Sequence, residues 1–193
     1  MNGIVLTKVD VSALEKEALD PRGHLVIKPA EFWEKQGVNL AQNFMYKHGI
    51  YVLPTSELIE WLNDKILGSA IEIGAGNGSI GRALKIPITD SKMQDRIDIK
   101  LMYATAGQPT IKYPSDIEKL EASAAITKYK PQTVIGAFIT HKYIDEVKMG
   151  NYWGVNEDFL LASVKRYLNI GNLETHKYKP ILQIKHDSHY YPW

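Results

Sequence analysis

The chain has no cysteine among its 193 residues, which rules out disulfides, thiolate zinc sites and cysteine nucleophiles together. It also lacks an excess of one charge. Its 23 Lys and Arg and 22 Asp and Glu are interspersed and leave a formal net charge of +1. No global field draws it to nucleic acid or to an anionic membrane, so no nucleic-acid footprint is expected. No apolar run approaches the roughly eighteen residues that a membrane helix needs, and the opening MNGIVLTKVDV holds no basic stretch followed by an apolar core. A cytoplasmic protein that does not engage the membrane is the expectation. With 45% hydrophobic and 23% charged residues, the length suits one domain with an ordinary core.

Against that plain background, residues 70–84 (AIEIGAGNGSIGRAL) stand out. Ile71 and Ile73 read as a buried parallel strand, and a helix follows from Ser79 to about Lys85. Between them Gly74, Gly76 and Gly78 remove the Cβ at alternate positions, which permits positive φ and close approach of a ligand to backbone. A turn that merely joins strand to helix is the plain alternative. The glycine register separates two cofactor classes. A dinucleotide motif starting at Gly74 puts Ser79 where a third glycine belongs, and one starting at Gly76 begins two residues late. A nicotinamide-dependent oxidoreductase is therefore the less favoured reading. An acid two residues before GxGxG is met directly by Glu72, Gly74, Gly76 and Gly78.

Residues 86–90 (IPITD) predict a second strand ending in Asp90, eighteen positions after Glu72. In nucleotide-binding α/β folds such an acid accepts hydrogen bonds from ribose hydroxyls, and a solvated turn aspartate before Ser91 is the alternative. A third strand is expected at 110–113. Pro114, Ser115 and Asp116 then spell a helix start, with an apolar spacing from Ile117 that predicts a helix to Lys130. Thr133 to Ile139 predicts a central parallel strand. Ligands collect outside the carboxyl ends of such strands, so Ala137, Phe138, Thr140 and His141 border the expected site. His141 is either a general base on a hydroxyl or amine or a positioning histidine.

Elsewhere, Ser12 and Glu15 suggest a capping box, Pro29 opens a helix, and Gly37 divides 30–47 into one helix or two. Thr55 caps a helix with Leu58, Trp61, Leu62 and Ile66 on one face, ended by Gly68. Residues 91–109 read as a long loop and a substrate-facing lid. The aromatics around Tyr152 and Trp153 suit either substrate contact or core filling. Asn156 or Glu157 starts a further helix, residues 167–172 a fifth strand and residues 181–184 another. His186 and His189, two of the six histidines, have no third ligand near them, so no metal is expected.

The acid and glycines of residues 72–78, Asp90, residues 115–117 and the strand at Thr133 occur in an order that resembles the class I S-adenosylmethionine-dependent methyltransferases. The strings TDSKMQ, KYKPQTVIGAFITHKY and GVNED look like an uncharacterised bacterial and phage-type group with no assigned substrate. The resemblance implies an α/β fold: a Rossmann-like, doubly wound, mostly parallel sheet with helices on both faces. Residues 1–69 would form a helical N-terminal part and 70–193 the cofactor-binding core of a single domain, with a shortened C-terminus. It implies S-adenosyl-L-methionine as the cofactor. Glu72 would supply negative charge to the cationic donor. Gly74, Ala75, Gly76, Asn77 and Gly78 would form its bed. Asp90 and Ser91 would meet the ribose, Ser115, Asp116 and Ile117 the adenine, Ala137 the inner wall, and Tyr51 and Thr55 would fold over it. Phe138, Thr140 and His141 would form the transfer zone. Neither DPPY nor NPPY is present, so a base amino group is disfavoured as acceptor, and the acceptor and oligomeric state stay open. A methyltransferase is the first expectation, and a non-catalytic methyltransferase-like binding module is the alternative.

Overall fold

Burial on both faces of short apolar runs organises the chain, because residues 70–73 and 133–136 are buried throughout. The computed structural model describes residues 9–145 and 148–190. The first eight residues, on which the reading of the N-terminus rests, and the last three lie outside the described residues. Five strands are described: β1 (Ala70–Ile73), β2 (Thr89–Asp90), β3 (Glu118–Lys119), β4 (Thr133–Ala137) and β5 (Arg166–Ile170). β1 pairs with β4, β4 with β5 and β2 with β3, all in parallel. A parallel bridge from Glu72 to Ile88 links the two groups, giving the order β3-β2-β1-β4-β5. The chain is thus α/β with a small parallel sheet whose order is compatible with a Rossmann-like arrangement.

Period-two alternation sorts the core into two layers. Ile71, Ile73 and Val134 face α7 (Ala122–Tyr129) and α8 (Glu157–Ser163) through Ala125, Ile126 and Leu160. Ile135 and Leu168 face α4 (Ser56–Lys65) and α5 (Ser79–Leu84) through Leu58, Leu62 and Ile80. A third cluster lies in the helical N-terminal part. There α1 (Ser12–Ala18), α2 (Ala30–Gln36) and α3 (Val38–His48) enclose Leu14, Trp33 and the fully buried Phe44.

The caps explain several boundaries. Thr55 Oγ1 accepts the Leu58 N–H at 3.2 Å, and Asn156 Oδ1 accepts the Phe159 N–H at 3.0 Å, as the sequence predicts. Pro29 precedes α2, whose first N–H is accepted by the Glu57 carboxylate from 27 residues away. Gly37, at φ 74°, breaks the run into two helices. Glu15 forms no capping box. Its carboxylate meets Lys47 and His48 at 2.7 Å and ties α1 to α3. α4 ends at Lys65, with Ile66 as its C-cap, rather than at Gly68.

Four expected elements differ. Residues 110–113 are not a strand; the third strand is Glu118–Lys119, a two-residue polar piece with no apolar pattern to mark it. The helix expected from Ile117 begins at Ala122, because Ile117 is buried beneath Gly78 and the chain pairs as β3 first. Residues 91–109 are no loop: a 3-10 turn (Met93–Asp95) leads into α6 (Ile97–Thr105). The period was hidden there because Ile97, Leu101 and Met102 face solvent. Residues 181–184 form no strand; Pro180, without an N–H, opens a 3-10 helix (Pro180–Gln183) after α9 (Leu173–His176). No helix among the described residues is long and apolar enough to cross a membrane.

Leu62 is fully buried between α4 and the sheet, so Leu62→Ala should lower stability by about 2–5 kcal/mol. Urea unfolding would show a lower midpoint at an unchanged slope. A loss below about 1 kcal/mol would mean that α4 does not seal that face.

Candidate functional site

The carboxyl ends of β1, β2 and β4 open into a cavity of about 700 Å3. Its floor is the glycine turn. Gly74 and Gly76 have φ of 56° and 57°, in the left-handed region that a side chain strains to enter. Asn77 Oδ1 accepts the Ser79 N–H at 3.0 Å and so starts α5. Beside the turn, Asp90 Oδ2 accepts the Gly76 N–H at 2.9 Å and Oδ1 the Lys92 N–H at 2.6 Å. Burial raises the Asp90 pKa and these two N–H groups oppose the rise.

The roof comes from the segment read as a loop. Gln94, buried on the 3-10 turn, donates to the Tyr51 and Tyr103 hydroxyls at 3.2 and 3.3 Å and accepts the Ile111 N–H at 2.8 Å. Burial is the main cause that pushes the Tyr103 phenol up to about 12, with the neighbouring Tyr51 adding to it. Tyr113 is also pushed up, by burial and then by the Asp90 charge. The Arg96 guanidinium lies 4.5 Å over the Trp153 ring, joining the roof segment to the segment after β4.

At the β4 end Phe138 has φ 53°, unusual for a side chain of that size, and its N–H donates to the Ile170 carbonyl at 2.8 Å. Its ring stands edge-on to His176 at 5.3 Å. The buried Lys179 ammonium fixes the backbone here, donating to the Ile139 carbonyl at 3.0 Å and to Asn169 Oδ1 at 2.8 Å. It also forms an ion pair with buried Glu157 at 2.8 Å. Burial, its main cause, lowers the Lys179 pKa while Glu157 opposes it.

Of the expected site residues, Tyr51, Glu72, Gly74, Ala75, Gly76, Asn77, Asp90, Ser91, Ala137, Phe138 and Thr140 line this one cavity. Gly78, Thr55, Ser115, Asp116, Ile117 and His141 do not. Thr55 is consumed as a cap. Ser115 is an exposed turn residue, and Asp116 accepts from Arg82 Nε and Nη2 at 2.8 and 3.0 Å on α5. Arg82 is the main reason that the Asp116 pKa is lowered. His141 is buried off the wall while its neighbours Thr140 and Lys142 reach it, as alternation in extended chain requires. Residues that sequence reasoning missed include Gln94, Tyr103, Ile111, Tyr113, Glu121, Lys142 and His176. The tyrosines clustered after Asp90 were the available signal.

Glu72 does not present the expected charge. Its side chain lies on the α5 side of the sheet, where Oε2 accepts the Gly81 N–H at 2.7 Å. Only glycine fits there, since a Cβ at Gly81 would sit 2.7 Å from that oxygen. Burial pushes the Glu72 pKa up to about 8, so the neutral acid prevails at neutral pH. Among the described residues no group of three or more His, Cys, Asp or Glu is arranged to hold a metal ion. No protein-family model, curated protein or solved structure matches the chain.

Because Glu72 holds its proton more tightly folded than unfolded, stability should fall as pH rises between its ordinary 4.5 and about 8. Glu72→Gln keeps an acceptor for Gly81 and should remove that slope. Urea midpoints of both proteins across this range provide the check, and parallel curves would show that Glu72 is ionised throughout.

Proposed function

We propose that the cavity binds S-adenosyl-L-methionine and that the chain is a methyltransferase acting on an acceptor still to be identified. The observation that carries this reading is the Asp90 clamp on Gly76, which brings a bare glycine turn and the acid ending the second strand to the floor of one cavity. Its volume lies within the usual range for small-ligand sites. The wall also suits the donor's chemistry. With Glu72 neutral, the aromatic faces of Tyr51, Tyr103, Tyr113 and Trp153 and the carboxylates of Asp90 and Glu121 are the groups suited to a cationic ligand. When bound, the donor supplies an electrophilic methyl group.

The chain's own residues would then work by positioning more than by acid–base chemistry. Asp90 holds the sugar edge of the ligand against the turn. Gln94 fixes both roof tyrosines by their hydroxyls and keeps bulk water from the floor. Phe138, held in its strained conformation, presents a ring at the transfer zone beside Thr140.

A non-catalytic binding module is the second reading. It is favoured by the commitment of both Asp90 oxygens to backbone N–H groups and by the exclusion of His141 from the wall.

Isothermal titration with S-adenosylmethionine and S-adenosylhomocysteine should show binding that Asp90→Ala weakens about 10- to 100-fold, the worth of a charge-assisted hydrogen bond. Absence of binding by both compounds would overturn the cofactor assignment. Transfer of labelled methyl to a lysate component separates the enzyme from the binding module.

A further inference from the structure

Rings and cations alternate beside the cavity. Lys92 lies over the Tyr113 ring at 5.9 Å, Arg96 over Trp153 at 4.5 Å and Lys142 over Tyr152 at 5.2 Å. Each pair includes a residue of the cavity lining, namely Tyr113, Trp153 and Lys142. The Tyr152 and Trp153 rings meet edge to face at 5.5 Å, so Arg96, Trp153, Tyr152 and Lys142 form one continuous row. Asp98 pairs with Arg96 at 3.1 Å, whereas Lys92 and Lys142 form no ion pair among the described residues.

The backbone after β4 is folded to present this row. The Lys142 N–H donates to the Val155 carbonyl at 2.7 Å and the Asn151 N–H to the His141 carbonyl at 2.9 Å. Gly150, at φ 103°, admits the close approach, since a Cβ there would lie 2.5 Å from the Lys142 carbonyl oxygen. Lys142 Nζ donates to the Tyr152 carbonyl at 2.8 Å, and Asn151 Oδ1 accepts the Trp153 N–H at 2.8 Å. Tyr152 is thus held on both sides, yet it is 73% exposed. An aromatic ring fixed in water keeps its contact area for a partner and loses little freedom when one binds. The partner that suits the row has flat π faces and repeated negative charge. An acidic peptide meets the cations but not the rings. Single-stranded nucleic acid supplies both, and a duplex hides its base faces by stacking them on one another.

We propose that this row binds single-stranded nucleic acid, with a base stacked on Tyr152 and the backbone phosphates met by Lys142, Arg96 and Lys92. The net charge of +1 excludes a field over the whole molecule, but three cations on one border make a local one. That the strand is the methyl acceptor rests on the methyl-transfer reading, whereas its binding does not. The absence of DPPY and NPPY directs the methyl away from a base amino group, so the row recognises the strand without assigning the modified atom.

Fluorescence anisotropy on the full chain tests it, with a labelled single-stranded DNA of about twelve nucleotides at about 50 mM salt. The strand should bind, and log affinity should fall against log salt with a slope of about −2 for three contacted phosphates. The same sequence as a duplex should bind about tenfold more weakly, a comparison that needs no variant. Tyr152→Ala should weaken the strand about tenfold, and Tyr152→Phe, which keeps the ring, should restore it. Absence of strand binding, equal binding of the duplex, or an unchanged affinity in Tyr152→Ala overturns the proposal. Displacement of the strand by poly-glutamate or by a nucleoside monophosphate at matched charge also overturns it, in favour of an acidic peptide or a free nucleotide. Strand binding without binding of S-adenosylhomocysteine overturns the cofactor reading alone, and the reverse result overturns this proposal alone.

Discussion

The Asp90 carboxylate holds the end of β2 against the turn after β1, and the cavity depends on that contact. β2 and β3 are each two residues long, too short for a backbone ladder to fix their position. Side-chain bonds compensate. Thr89 Oγ1 donates to the Glu72 carbonyl at 2.9 Å, while Asp90 takes the Gly76 and Lys92 N–H groups. Charge-assisted bonds of this kind are roughly twice as strong as neutral ones, which is why one carboxylate can replace several rungs of sheet. Ile111 packs against the turn, and its Cδ1 would lie 3.3 Å from a Cβ at Gly76.

The opposite wall is held by a different device. Lys179 reaches back from the chain after α9 to the Ile139 carbonyl, Asn169 and Glu157, so the turn leaving β4 is pinned from beneath by a buried cation. A buried pair of this sort adds little net stability, because desolvation offsets the attraction, but removing one partner leaves an uncompensated charge. Its contribution is geometric: with Ile139 fixed at its carbonyl and Phe138 bonded to Ile170, the backbone has no freedom to relax the positive φ at Phe138. One wall is therefore positioned by an anion that binds backbone N–H groups and the other by a cation that binds backbone and side-chain oxygens.

The parts of this arrangement legible in the sequence are those that local chemistry dictates. The strand, glycine turn and helix of residues 70–84 follow from periodicity and missing Cβ atoms, and Thr55 and Asn156 cap the helices that their side chains predict. Residues at the carboxyl ends of β1, β2 and β4 meet because parallel strands of one sheet must end on one side. Glu72 was placed correctly in the chain and wrongly in its chemistry, since spacing shows where a carboxyl sits but not that Gly81 turns it under α5. The roof was hidden because α6 leaves Ile97, Leu101 and Met102 exposed, so no apolar face announces a helix. Tyr103 reaches the cavity through Gln94, nine residues earlier, a tertiary contact that leaves no trace in spacing.

That His176 rather than His141 lines the cavity follows from the same distinction. Proximity to a strand end favoured His141, but alternation along extended chain gives its neighbours to the cavity and turns its own side chain into the protein. His176 comes from a four-residue helix after β5, held by the Asn172 cap and Gly171, and nothing in its sequence separates it from a solvated turn histidine. Its burial against Phe138 makes the difference, because an imidazole removed from water keeps its neutral form and an orientation set by packing. Strand geometry thus fixes where the cavity opens, and buried side-chain contacts made late in the chain fix which residues line it.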